Sequence, residues 1–328
     1  MRRMTFVKNV LAISLLAGLG AALVLWPVTD PVPATGTVWQ QVGRTGPELG
    51  AFNQPRGVTV LEDGSFIVVD RSSRVQHFSA RGVAFSLWEM PEHAKGNPKG
   101  LCILPNGHLL VCDTHYGRLV EMTIEGDTVR EWAGYGQAPG QFTHPLSCVA
   151  DVRHDAVYVV DYGGYNDRVQ KFTLDGRFVK AWGRFGSEPG QFRRPSGVAV
   201  DSRGQVYVAD AANHRIQKFD GEGTLLDIIG EEGHGDGQLS YPFDIACDPE
   251  DRLYVADYNN HRVAVFAAQG VFLGSMGGPG QEEGRFKFPW SLTVDPRGRL
   301  LVSDTGNGRV QIRALPATSV VQARAEER

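Results

Sequence analysis

The chain is poor in features that would declare an activity. It has four cysteines in 328 residues, and none lies near the N-terminus where a lipid could be attached. It has no Gly-x-Ser-x-Gly, no His-Glu-x-x-His and no Walker-type loop, so the commonest signatures of hydrolases, zinc proteases and nucleotide enzymes are missing. Positive charge is also scarce. With Arg2, Arg3, Lys8 and Asp30 set aside, 30 Lys and Arg face 36 Asp and Glu, and a nucleic-acid partner, which needs a basic surplus, is not expected. No stretch between residues 36 and 315 keeps a helical period, so helices are not the building unit.

What the chain has instead is repetition. VYVADAANHRIQKF, Val206 to Phe219, returns as LYVADYNNHRVAVF, Leu253 to Phe266, and weaker copies occur four more times. The Asp ending each copy of the strand falls at Asp70, Asp113, Asp161, Asp210, Asp257 and Asp304, spaced by 43, 48, 49, 47 and 47 residues. A period in the forties means a stacked or closed repeat array. Within one period, PSGVAVDSRGQVYVAD reads as two β-rich strands around a Ser-Arg-Gly turn, and HRIQKF and TLLDIIG add two more. Four antiparallel strands per repeat fit a propeller blade, so the expected fold is an all-β, six-bladed propeller.

A second phrase ends at Pro55, Pro145, Pro195, Pro242 and Pro289, each just before a first strand, and Pro98 holds the same place in the remaining repeat. After Asp304 only RVQIRAL remains before a polar tail, so the last blade lacks a strand. TVWQQVG, Thr37 to Gly43, sits before the first Pro where KAWGRFG sits before Pro195. The N-terminal strand is therefore expected to complete blade six and remove the open sheet edges. The phrase P-x-G-V-A-V…V-Y-V-A-D-x-x-N-x-R resembles that of the NHL-repeat proteins, over roughly residues 37 to 315. The resemblance implies the propeller fold but no single activity, because that family includes RNA-binding regions, ubiquitin-ligase adaptors, kinase sensor domains and amidating lyases.

The N-terminus carries Arg2, Arg3 and Lys8, and Val10 to Val28 follows as 19 residues without a charge. That length can just span a bilayer, and basic residues ahead of it place the N-terminus in the cytoplasm and the propeller outside. The expected organisation is a signal anchor over 1–28, a Pro-containing spacer over 29–36, the propeller over 37–315 and a polar tail over 316–328. The competing reading is a cleaved signal peptide, with Val32-Pro33-Ala34 as its small-residue site and a secreted propeller as its consequence.

Cysteine chemistry points nowhere strongly. Cys102, Cys112, Cys148 and Cys247 all fall on strands and read as small buried apolar side chains, with a Cys102–Cys112 cross-strand disulfide as the alternative in an oxidising compartment. Each ruler Asp has an Arg four, five or seven residues on, and recurrence in every blade reads as a turn clamp rather than six active sites. His214 and His261 belong to the same frame and read as loop residues.

The amidating lyases of the family imply a zinc ion held by His from different blades, one directly after a first-strand Pro. Here Ser196 and Phe243 follow Pro195 and Pro242, which puts that zinc site in doubt, although His144 and Asp244 are expected to line the pocket. A lactonase-type metal site would need Glu, Asn and Asp converging on the channel, and no such set is evident. No catalytic residue and no cofactor is assigned; zinc or calcium enters only with the competing reading, a propeller lyase or hydrolase with a diverged metal site.

The expected function is binding, by one face of the disc. Blade three has a turn two residues longer than its equivalents and carries Tyr162 and Tyr165, which suit a partner contact. In an antiparallel pair the residue after each Pro and the residue after each ruler Asp emerge on the same face. Blades one and two then contribute Arg56, Arg71 and Lys99, while blades five and six contribute Phe243, Tyr258 and Trp290. Cations beside aromatic rings suit a small anionic ligand, or a protein partner, with an apolar or planar part.

Overall fold

The structure is a computed structural model, and it describes residues 38–163 and 166–316. The anchor, the spacer, the tail beyond 316 and Tyr165 lie outside the described residues. Among the described residues no helix is long and apolar enough to cross a membrane.

Chain order opens with β1 (Gln40–Val42) and continues blade by blade. Blade one is β2 (Pro55–Val60), β3 (Phe66–Asp70), β4 (Arg74–Phe78) and β5 (Ala84–Glu89); blade two is β6 (Leu101–Ile103), β7 (Leu109–Asp113), β8 (Arg118–Met122) and β9 (Thr128–Trp132). Blade three is β10 (Pro145–Asp151), β11 (Ala156–Asp161), β12 (Arg168–Phe172) and β13 (Phe178–Trp182). Blade four is β14 (Pro195–Val200), β15 (Val206–Asp210), β16 (Arg215–Phe219) and β17 (Leu225–Ile229). Blade five is β18 (Pro242–Cys247), β19 (Leu253–Asp257), β20 (Arg262–Phe266) and β21 (Phe272–Gly277). Blade six has β22 (Pro289–Val294), β23 (Arg299–Asp304) and β24 (Arg309–Ala314), and β1 pairs with β24 as its fourth strand. The six-bladed propeller with an N-terminal closing strand is the fold. In register, Gln40, Gln41 and Val42 face Ile312, Gln311 and Val310.

Burial follows strand position. The first strands stand side by side around the axis, β2 touching both β6 and β22, and the second strands are wholly buried. The fourth strands are the most exposed, and those of blades one and three alternate between half-buried and exposed residues, as the rim of a disc requires. Core clusters form between neighbouring blades; Ala209, Ile216 and Tyr207 of blade four pack with Ile245, Val255 and Phe266 of blade five. Each blade buries its faces only against its neighbours, so the ring must close for the end blades to be covered.

The two repeating phrases each have a mechanical role. Phe52, Phe142, Phe192, Leu239 and Phe286 of the Pro phrase are fully buried plugs, with Phe192 lying 5.7 Å from Phe219. In every blade but the second the proline begins the inner strand opposite the ruler aspartate, Pro195 facing Asp210 and Pro242 facing Asp257. Arg215 Nε donates to Asp210 at 2.9 Å, Arg262 to Asp257 at 2.8 Å and Arg309 to Asp304 at 2.7 Å. The second oxygen of each carboxylate accepts a backbone N–H from the Pro phrase, at 2.7 Å from Arg193, Ser240 and Lys287. Each guanidinium then donates to carbonyls of that loop, as Arg262 Nη2 does to Gly235 and Gln238. The Asp–Arg pair is thus a clamp joining the hairpin turn to the loop arriving from the previous blade.

The cysteine alternative is corrected by the register. Cys102 pairs with Leu110 across β6 and β7 rather than with Cys112, and all four cysteines are free thiols. Cys102 instead meets Cys148 of blade three, Sγ to Sγ 3.3 Å, in the core between the blades. Small buried side chains is the reading that holds for Cys102, Cys112 and Cys148, while Cys247 is half-buried in the channel wall.

Candidate functional site

The residues after the prolines converge on the axis, because each except Lys99, which lies two residues ahead of β6, is the second residue of an inner strand. Arg56, Lys99, Leu146, Ser196 and Phe243 are buried there and Trp290 is half-buried. They narrow the channel to a cavity of about 10 Å³ bordered by Lys99, Ser196, Phe243, Asp244 and Trp290, with room for roughly one water. Below it the channel widens to about 220 Å³. Inner strands approach closely at the Gly of the P-x-G phrase: a Cβ on Gly197 would stand 2.5 Å from the Asp244 Cα, so blade four leaves the space that the Asp244 side chain uses.

Cations and rings meet at this mouth because blade six closes on blade one. The Arg56 guanidinium lies 3.6 Å from the centre of the Trp290 ring, and Lys99 Nζ lies 5.6 Å from Trp290 and 5.9 Å from Tyr162. Phe243 packs 3.9 Å from Trp290 and 5.3 Å from Tyr258. Arg71 stays exposed at the rim, where its Nη1 and Arg56 Nη2 both donate to Gln54 Oε1, at 3.3 and 3.2 Å. The residues after the ruler aspartates share the face: the hydroxyl of Thr114 donates to the Pro145 carbonyl at 2.7 Å, and that of Thr305 to the Pro55 carbonyl at 2.5 Å.

Of a third series, the residues before the prolines, the sequence reading named only His144. Gln54, Asn97, Arg194, Tyr241 and Phe288 all have positive φ, between 54° and 77°, a left-handed conformation disfavoured for non-glycine residues and more so ahead of proline. Side-chain caps from the preceding blade hold three of them. His214 Nδ1 accepts the Tyr241 N–H at 3.2 Å, His261 Nδ1 that of Phe288 at 3.0 Å, and Asp167 Oδ2 that of Arg194 at 2.6 Å. Recurrent strain held this way marks a face whose side-chain directions are specified. It turns Arg194 over the mouth, 5.4 Å from the Tyr162 ring, 5.7 Å from Tyr241 and 5.8 Å from Phe243. Tyr241 and Phe288 add rings beside Tyr258, at 6.5 and 4.9 Å. The available signal was the position itself, one residue before each blade proline.

Among the described residues, none of Arg56, Arg71, Lys99 and Arg194 is ion-paired with a carboxylate, and the buried Nε atoms of Arg56 and Arg194 have no hydrogen-bond partner. Burial, reinforced by Arg194 and Arg56, pushes the Lys99 ammonium down to about 7. Burial pushes Arg56 down to about 10, with Arg71 and Arg194 adding repulsion and Tyr258 opposing it. Asp244, enclosed by the channel wall, is pushed up to about 7 by burial although the Leu292 N–H binds it at 3.2 Å.

Tyr162 borders a second hollow of about 380 Å³ on this face, with Arg193, Arg194 and Phe185. His144 lies beside Tyr162, ring centres 5.0 Å apart, with its Nδ1 3.2 Å from the Tyr162 carbonyl. Among the described residues no three His, Cys, Asp or Glu stand together as metal ligands. The opposite mouth is acidic, a hollow of about 510 Å³ lined by Asp151, Asp201, Asp248, Asp251 and Asp295. Three of those carboxylates hold their own hairpins: Asp295 and Asp248 accept from Arg299 and Arg252, and Asp201 from the Tyr207 hydroxyl. Arg153 borders the same hollow and donates to the Ser202 carbonyl at 2.7 Å.

Comparison with known proteins agrees with the fold. The NHL repeat model matches residues 192–219, 239–266 and 286–312, which fall in blades four, five and six, and the chain carries NHL repeats. No curated protein matches the chain. Solved structures that are similar include virginiamycin B lyase from Staphylococcus aureus, in a catalytically inactive form with quinupristin, at 14% identity over 85% of this chain and 88% of that one, TM-score 0.58. A gluconolactonase from Xanthomonas campestris is similar at 14% identity over 82% and 88%, TM-score 0.60. A protein of unknown function from Bacteroides thetaiotaomicron is similar at 13% identity over 84% and 76%, TM-score 0.66. At these identities the likeness is one of fold.

Proposed function

We propose that this NHL propeller is a binding module whose cationic, ring-lined mouth takes an anionic group, carboxylate or phosphate, attached to a planar or apolar body. The observation that carries the reading is the gathering of Arg56, Lys99 and Arg194 without a carboxylate partner. Buried charge left unpaired is costly, and an anion from outside would supply the missing acceptors. Trp290, Tyr258, Tyr162 and Tyr241 would stack on the planar part, and a protein partner would present the same chemistry through an acidic or phosphorylated residue beside an aromatic one. The test is calorimetric titration of phenyl phosphate and phenylacetate into wild type, into Arg56→Ala plus Lys99→Ala, and into Trp290→Ala. Hydrogen bonds to charged groups are worth roughly 1.5–3 kcal/mol, so the double variant should bind at least about tenfold more weakly. Unchanged affinity in folded variants would remove this face as the site.

The competing reading is a metal-dependent lyase or hydrolase. The similarity to virginiamycin B lyase and to a gluconolactonase supports it as a use of the fold, but no donor set among the described residues favours it. Stoichiometric zinc or calcium in the purified protein would reverse the order of the two.

We further read the propeller as exported and held at the membrane by residues 1–28, from Arg2, Arg3 and Lys8 ahead of the uncharged run Val10 to Val28. A reporter active only outside the cytoplasm, fused after Leu315, should be active and sediment with membranes. Recovery of a soluble product starting near Thr35 would instead identify a cleaved signal.

A further inference from the structure

We propose that Lys99 is a nucleophilic amine that captures the carbonyl of a small aromatic oxo acid as an imine, while Arg56 and Arg194 hold the acid's carboxylate. This rests on the binding site proposed above and adds a covalent step to it. The argument begins with what Lys99 lacks. The residue is only 6% exposed, yet among the described residues its Nζ has neither a hydrogen-bond acceptor nor a carboxylate within ion-pair distance. The side chain borders the cavity at the channel mouth, and its Nζ is not among the fully buried, unpartnered side-chain nitrogens, so it keeps some contact with solvent.

An ammonium in that position is destabilised by lost hydration and by two neighbouring guanidinium groups. Losing its proton relieves both, and burial with Arg194 and Arg56 brings it down to about 7, so above neutral pH much of it is free amine. A desolvated lysine beside other cations is one recognised way of activating an amine toward a carbonyl. The titratable and charged groups around it are Arg56, Arg194, Tyr162 and His144, with Asp244 on the same cavity. Burial holds His144 below its ordinary range, so it adds little positive charge near neutrality, and Arg56, at about 10, keeps its charge for the carboxylate.

In the reaction the Lys99 lone pair adds to the carbonyl carbon and forms a C–N bond. The carbonyl oxygen becomes a hydroxyl, then leaves as water with both amine protons, and a C=N bond remains. Amine plus oxo acid thus gives imine plus water, with no change of oxidation state and no further reactant.

The test uses the full chain in detergent with phenylpyruvate, trapped by sodium cyanoborohydride and mapped by peptide mass spectrometry. The expected result is labelling of Lys99 at least about tenfold above any other lysine, rising from pH 6 to 8 and then levelling. An ordinary lysine would keep rising toward pH 10. Lys99→Arg should lose the label, with its melting temperature reporting whether it folds, and phenylacetate, which has no ketone, should bind wild type without labelling it. Phenylacetate binding with no preferential label on Lys99 overturns the imine step and leaves the binding site standing. Failure of wild type to bind either compound overturns both.

Discussion

Deletion of residues 37–43 should lower the melting temperature far more than deletion of residues 316–328. The first removes β1, the fourth strand of blade six, and with it Trp39 and Val42, which are 7% and 3% exposed. Trp39 packs edge-on against Phe286 at 5.2 Å, and Val42 packs with Phe52 and Val310 between blades six and one. Burying a large apolar side chain is worth roughly 1.5–3 kcal/mol, so these two alone represent about 3–6 kcal/mol. That is comparable with the whole stability of many domains. The deletion also bares the edge of β24, a site for pairing with another chain, so aggregation should accompany the lower melting temperature. Deletion after Leu315 leaves every described strand in place. Equal melting temperatures for the two truncations would reject ring closure by the N-terminal strand.

Asp257→Ala should destabilise the protein by about 3–5 kcal/mol, the range for removing one partner from a buried ion pair. Three connections fail together. Asp257 accepts from Arg262 at 2.8 Å, from the Ser240 N–H at 2.7 Å and from the Asn260 side chain at 2.7 Å, so its loss strands a guanidinium and a backbone donor. Asp257→Asn keeps an acceptor and the side-chain volume, and should recover part of the loss. Chemical denaturation of both variants beside Glu250→Ala, an exposed carboxylate, measures the difference. If Asp257→Ala matches Glu250→Ala, the clamp carries no stability.

For the proposed binding role the consequence is geometric. The clamp fixes the hairpin turn beside the Pro phrase, and the caps from His214, His261 and Asp167 fix the residue just before the proline. The side chains at the mouth therefore stand on strand ends held from two directions. A site built this way is pre-organised, which reduces the ordering cost of binding.

Much of this was legible in residue order alone. The ruler aspartates and the prolines counted the blades, and TVWQQVG identified the closing strand, because sheet pairing in a repeat array follows a local period that sequence displays directly. The same logic assigned the Asp–Arg pairs to structure and placed the post-Pro and post-Asp residues on one face. Contacts between blades lay beyond its reach. Cys102 meeting Cys148 rather than Cys112 depends on strand register and on how neighbouring blades abut, and no period encodes either. Arg194 escaped notice because a residue before proline is ordinarily extended, and only the caps from the previous blade hold it left-handed with its side chain over the mouth. Closing the ring brought Arg56 of blade one onto Trp290 of blade six, across 234 residues of chain, and concentrated unpaired cations at one end of the channel. Local patterns thus determined the blades, whereas long-range packing decided which charges and rings meet at the mouth, and desolvation with the summed field of distant charges decided how those groups ionise.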